Sequence, residues 1–185
     1  MATKKSRAKE WYAIVAPKLF DSRELGMAMV TEPEQLVGRK INISLLELMN
    51  NFNKFYMKFV FKIVKVEGTS AYAEFIGSEV LRDYISRMVL KRVRRVDTVQ
   101  ILETSDKRKI TVKGLGIVSK KVKSSIEKII RSHIKETLKK EIAAKSFDDF
   151  IISLTTDELK NYVLHEARKI YPIRSFEIRM TKVLS

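Results

Sequence analysis

Phe55–Ile76 reads FYMKFVFKIVKVEGTSAYAEFI, and its side-chain alternation separates a sheet from a helical bundle. Phe55, Met57, Phe59, Phe61 and Ile63 fall on one face at period two, while Lys58 and Lys62 fall on the other. Period two is the signature of a strand with one buried face. The tetrapeptide EGTS, residues 67–70, supplies turn residues, and Ala71–Ile76 returns as a partner strand. This pair is the seed of an antiparallel sheet.

Outward from the pair, the remaining segments read as elements around such a sheet. EWYAIVAP (Glu10–Pro17) is a short strand ended by proline. The following stretch is loop-rich, with strand-like pieces at Ala28–Thr31 and Lys40–Ile43, and Ser44 caps a short helix LLELMNN. Ser78 is placed to cap a helix whose stripe is Leu81, Tyr84, Ile85, Met88 and Val89. Val93–Glu103 and Lys109–Val118 form a hairpin around TSDKRK. Ser119–Ala143 is the longest helix, with an aliphatic stripe of Val122, Ile126, Ile129, Ile130, Ile134, Leu138 and Ile142. Ser146 and Asp149 open a helix FDDFIISL, Thr155 and Glu158 open DELKNYVLHEARKI, which ends before Pro172, and Ser175–Val183 is a closing strand. The expected fold is α+β: a mostly antiparallel, barrel-like β half, then a helical region with a closing C-terminal strand. The expected organisation is a disordered basic arm at 1–9, a β-rich nucleic-acid-binding portion at 10–118 and a helical region at 119–185, packed as one compact unit.

Composition narrows the function. The chain has 185 residues, 37 Lys and Arg against 22 Asp and Glu, a formal net charge of +15, and no cysteine. Disulfides, thiolate metal sites and thiol nucleophiles are thereby excluded, and no apolar run reaches the length of a membrane span. The chain reads as soluble and intracellular. The charge is concentrated. Residues 1–9 carry net +4, residues 10–81 net −1, residues 82–123 net +9 and residues 124–185 net +3. Such a distribution points to a polyanionic partner, nucleic acid first and an anionic membrane surface a distant second.

No catalytic constellation emerges, so neither an enzyme nor a cofactor is expected. His133 and His165 lie far apart on lysine-rich helices with no ligand at i+4. The Gly-x-Gly of KGLGIVSKK lacks the third glycine of a dinucleotide loop, so Gly114 and Gly116 are read as a bulge or a close backbone contact. Trp11 and Tyr12 are expected in the core, with base stacking as the alternative. The arginine-rich VLKRVRRVDTV (Val89–Val99) carries the functional signal. Lys91 and Arg92 suit a helix C-terminus without any ligand. Arg94, Arg95, Lys107, Arg108, Lys109 and Lys113 are expected within one hairpin's width and suit phosphate. Lys128, Lys135, Lys139 and Lys140 read as a solvated helix face.

Four blocks carry a family resemblance: KEWYAIVAPKLFDSRELG (Lys9–Gly26), VGRKINISLLELMNN (Val37–Asn51), the arginine-rich stretch with its hairpin, and IYPIRSFEIRMTKVL (Ile170–Leu184). In this order the chain resembles the S-three-a-e family of archaeal and eukaryotic small-subunit ribosomal proteins. The resemblance implies a structural constituent of the small ribosomal subunit in the cytoplasm. It implies a place on the platform near the messenger RNA exit, bound to small-subunit ribosomal RNA and neighbouring platform proteins, with no membrane and no small-molecule substrate. It also implies an archaeal type, because the eukaryotic members run longer at the C-terminus, and a basic arm that runs into RNA. The expected RNA-facing set is Lys4, Lys5, Arg7, Lys9, Arg87, Lys91, Arg92, Arg94, Arg95, Lys107, Arg108, Lys109, Lys113, Lys120, Lys121 and Lys123. The alternative is a transient RNA-binding assembly or regulatory factor.

Overall fold

Eight strands and five α-helices follow in a computed structural model that describes residues 8–184. The strands are β1 (Glu10–Val15), β2 (Glu24–Val30), β3 (Lys40–Ser44), β4 (Met57–Glu67), β5 (Ser70–Val80), β6 (Arg94–Glu103), β7 (Lys109–Val118) and β8 (Ile173–Leu184). The helices are α1 (Leu45–Met49), α2 (Arg82–Met88), α3 (Ser124–Ala144), α4 (Phe147–Thr156) and α5 (Glu158–Arg168). The fold is α+β, with a largely antiparallel sheet, then helices, then a closing C-terminal strand, as the alternation anticipates. Strand pairing runs β2-β1-β5-β8-β7-β6, with β4 beside β5 and β3 beside β4. The path ends at β2 and β6, so the barrel-like half is an open sheet and not a closed barrel.

The chain divides into two compact units between Ile76 and Gly77. In the first unit the alternation of β4 does what it promised. Met57, Phe59, Phe61 and Ile63 are buried, and Lys58 and Lys62 are exposed. Phe20, Phe59, Phe61 and Phe75 meet edge to face, with centroids 5.0–6.4 Å apart. That geometry aligns ring edges with ring faces, adding about 0.5–1.5 kcal/mol per pair to the area buried. Phe55 is an exception. It lies in the turn before β4 and is exposed, because the strand starts only at Met57. Ser44 caps α1, its hydroxyl accepting from the Leu46 amide at 3.3 Å.

In the second unit β6, β7 and β8 form an antiparallel sheet. Helix α3 packs against β6, and α5 against β8 and α3. Ile130, Ile134, Leu138 and Ile142 are the buried stripe of α3, while Ile129 is 55% exposed. Helix α3 starts at Ser124, not Ser119, which leaves residues 119–123 as a linker after β7. Ser146 caps α4 as anticipated, accepting from the Asp149 amide at 3.2 Å and donating to its carboxylate at 2.6 Å. Two other caps fail for an identifiable reason. Ser78 stays in β5 because its amide and hydroxyl both meet the Thr181 hydroxyl of β8, at 3.0 and 2.8 Å. Thr155 lies inside α4 and returns its hydroxyl to the Ile152 carbonyl, so α5 begins after Asp157. Gly114 does mark a bulge. The β7–β8 register shifts between Lys113 and Gly114.

Candidate nucleic-acid interface

The β6–β7 hairpin is the scaffold on which most of the expected basic residues stand. Each strand has ten residues and pairs without a slip from Arg94 opposite Val118 to Glu103 opposite Lys109. Ten residues at strand rise span about 30 Å. The basic residues therefore fall into two groups at opposite ends of the hairpin, and the expectation that all six lie within its width is wrong. Arg94 and Arg95 sit at the open end, level with the linker that carries Lys120, Lys121 and Lys123. Lys107, Arg108 and Lys109 sit at the closed end. Lys113 lies between them, half-buried, opposite Val99 on β6 and Met180 on β8.

The closed end is held on both sides. The Thr104 amide donates to the Arg108 carbonyl at 3.0 Å, the Lys107 amide returns to the Thr104 carbonyl at 2.9 Å, and Lys107 takes a left-handed φ of 61°. Ser105 donates its amide and hydroxyl to the Lys145 carbonyl, and the Asp106 carboxylate accepts from the Phe147 amide at 2.7 Å. The Arg108 guanidinium lies 4.5 Å from the centre of the Phe147 ring. A cation over an aromatic face is worth about 0.5–2 kcal/mol. The loop is thus docked on the α3–α4 junction with Lys107, Arg108 and Lys109 exposed. A cation displayed on a fixed backbone loses less conformational entropy on binding than one on a free loop.

The open end is organised by ion pairs. Arg94 donates Nε and Nη2 to one oxygen of Glu127 in α3, at 2.8 and 2.7 Å. Arg131, one turn along, donates to the other Glu127 oxygen at 2.7 Å and to the Asp97 carbonyl at 3.0 Å. Arg95 forms a fork onto Asp97 at 3.0 and 2.8 Å. Glu127 is buried, so its charge requires these partners. Two arginines that look alike in the sequence therefore differ. Arg94→Ala should cost about 1–2 kcal/mol of stability in urea unfolding, since Arg131 still holds Glu127. Arg95→Ala, which breaks an exposed pair, should stay within about 0.5 kcal/mol.

Lys91 and Arg92 do not end a helix. Helix α2 stops at Met88, with the Val89 amide closing on the Ile85 carbonyl, and Arg92 sits beyond it in a turn with φ 70°. Only Arg87 occupies the last helical turn. Arg87, Lys91 and Arg92 are exposed, as are Lys120, Lys121 and Lys123. Lys9 is exposed just before β1, in the first unit. Lys4, Lys5 and Arg7 lie outside the described residues. Trp11 is not a core residue. It is 60% exposed, whereas its neighbour Tyr12 is buried. Arg131 and Glu127 escaped the sequence reading. Their i,i+4 spacing was visible there, but the contact to Arg94 was not.

Among the described residues no three His, Asp or Glu side chains come together as a metal site, and no helix is long and apolar enough to cross a membrane. What remains defines a class: a basic α+β scaffold protein that displays cations on a braced hairpin. The chain belongs to the Ribosomal S3Ae family, whose model matches residues 2–185. It is 35% identical to the small ribosomal subunit protein eS1 of Methanothermobacter thermautotrophicus over 178 residues, covering 96% of this chain and 91% of that protein. The corresponding protein of Methanopyrus kandleri is 35% identical over 188 residues, covering 100% and 89%. That of Saccharolobus islandicus is 35% identical over 180 residues, covering 97% and 86%. The family is one of ribosomal structural proteins and not of enzymes.

Proposed function

We propose that this protein is a structural constituent of the cytoplasmic small ribosomal subunit that binds ribosomal RNA phosphates through both ends of the β6–β7 hairpin. The observation that carries the reading is family membership across residues 2–185. The braced hairpin and the net charge of +9 over residues 82–123 support where on the chain RNA is met. Lys107, Arg108 and Lys109 form one contact group. Arg87, Lys91, Arg92, Arg94, Arg95, Lys120, Lys121 and Lys123 form another, with Lys113 between. Lys4, Lys5, Arg7 and Lys9 add the arm. The platform near the messenger exit, among neighbouring ribosomal proteins, is the location the family resemblance suggests. Cations on rigid elements fix register on folded RNA by meeting phosphates, and they read shape rather than base identity.

Phosphate contacts release counterions, which makes the reading measurable. The variant Lys107→Gln, Lys109→Gln, Lys120→Gln, Lys121→Gln changes only exposed side chains, so its fold should match the parent's. If all four meet duplex phosphates, the slope of log affinity against log salt for small-subunit RNA should fall by about 3 to 4. An unchanged slope removes these lysines from the interface. A high-salt wash of native small subunits separates a constituent from a visiting factor. The protein should stay near one copy per particle, and its loss from otherwise intact particles would favour the visitor.

A further inference from the structure

The first unit carries an exposed apolar sheet face that phosphate binding does not use. Across β2 and β1, Met29 lies opposite Trp11 and Met27 opposite Ala13. Val15 lies opposite Glu24 on β2 and opposite Tyr72 on the parallel neighbour β5. Cross-strand partners share a face, so these residues make one surface. Trp11, Met27, Met29 and Tyr72 are 60%, 63%, 45% and 43% exposed, while Tyr12 and Ile14, the alternate residues of β1, are buried. Trp and Met are residues that protein interfaces concentrate, and adjoining exposed apolar side chains mark a contact surface.

Charge selects the occupant. Strands β1, β2 and β5 contain no Lys or Arg at all, in a chain that has 37. The face instead carries the carboxylates of Glu24 and, two residues beyond Tyr72 on β5, Glu74. Lys65, close to Tyr72, is paired with Glu67, and the Arg23 guanidinium is tied to the Leu48 carbonyl at 2.8 Å. Within these three strands a polyanion meets no cation, whereas an apolar segment bearing Lys or Arg is complementary to Glu24 and Glu74. Strand β2 ends the pairing path, and among the described residues no strand pairs with its outer edge. An edge strand with an apolar face is a template for strand addition. We infer that this face docks a basic, extended segment of a neighbouring small-subunit protein, which pairs with the edge of β2 and covers Trp11, Met27 and Met29. The inference rests on membership of a ribosomal family, not on which lysines meet phosphate.

A photo-crosslinking amino acid placed at Met27, in protein assembled into native small subunits, tests it. A cross-link to a Lys- or Arg-containing peptide of another protein is the expected result. A cross-link to ribosomal RNA, or to a second copy of this chain, overturns the assignment. So does the absence of any cross-link in particles that contain the protein. A second readout needs no substitution. Met27 and Met29 should oxidise more slowly in particles than in the free protein, on the order of tenfold. Equal rates overturn the proposal even if the lysine variant has already removed or supported the RNA reading.

Discussion

Gly77→Ala is expected to destabilise the second unit by about 3 kcal/mol, the upper end of the ordinary range for overpacking. A methyl group built on Gly77 would sit 2.3 Å from the carbonyl oxygen of Thr181 and 3.3 Å from the Lys182 Cα. Those atoms are backbone, so no rotamer change can relieve the clash. Gly77 pairs with Lys182, and next to it Ser78 and Glu79 pair with Thr181 and Met180. To admit the methyl, β8 must move away from β5, which also breaks the Ser78–Thr181 hydroxyl bond. Gly116→Ala is the control. There the nearest heavy atom is Ile134 Cδ1 at 3.5 Å, an ordinary contact, and the change should cost less than about 1 kcal/mol. Gly114→Ala belongs between the two, because the atoms it meets, Thr98 Oγ1 at 2.6 Å and Phe176 Cζ at 2.9 Å, are side-chain ends. Urea midpoints of the three variants, at constant m-value, rank them.

That ranking illustrates what a linear sequence discloses. Periodicities of two and of 3.6 are local, and they located β4, the hairpin and the stripe of α3 within a few residues. Caps made by one side chain to a nearby amide, Ser44 and Ser146, were equally legible. Ser78 carries the same local signal but belongs to a strand, because its competitor Thr181 lies 103 residues away. Trp11 and Tyr12 alternate, so one must face in and one out, yet nothing within β1 says which. The buried face is the one that Tyr12 shares with Ile14 and with Val30 of β2, and it is set by the rest of the first unit's core. The hairpin's basic residues were legible as a set because charge is additive along the chain. Their division into a loop braced by Phe147 and an open end knotted to Glu127 was not, since both contacts join segments more than thirty residues apart. Arg94 changes most. Read in sequence as a free cation, it is also the clamp between β6 and α3.

The last large effect concerns a charge pair that is unrelated to RNA. Lys160 of α5 lies 2.7 Å from Glu177 of β8, whose side chain is 5% exposed and also accepts from the Tyr84 hydroxyl at 3.3 Å. Glu177→Leu should cost about 3–5 kcal/mol, because the half-buried ammonium loses the carboxylate 2.7 Å away, while the Asp157 carboxylate stands farther off at 3.7 Å. Adding Lys160→Met removes the ammonium that Glu177 had balanced, and the double variant should recover most of the loss. Double-variant stability no better than the single would refute a charge origin for the loss. The pH response follows from the same contact. Burial pushes the Glu177 carboxyl above its ordinary 4.5, outweighing Lys160. Burial also acts against the Lys160 ammonium, but the hydrogen bond and charge of Glu177 hold it above its ordinary 10.5. Both groups bind their proton more tightly when folded, so each stabilises below its unfolded pKa and ceases to as pH rises through its folded one. The parent should lose a component of stability as pH climbs from the carboxylate range, and another in the alkaline range above ordinary lysine titration. The double variant should show neither component, and unfolding free energies measured across both windows check the sign.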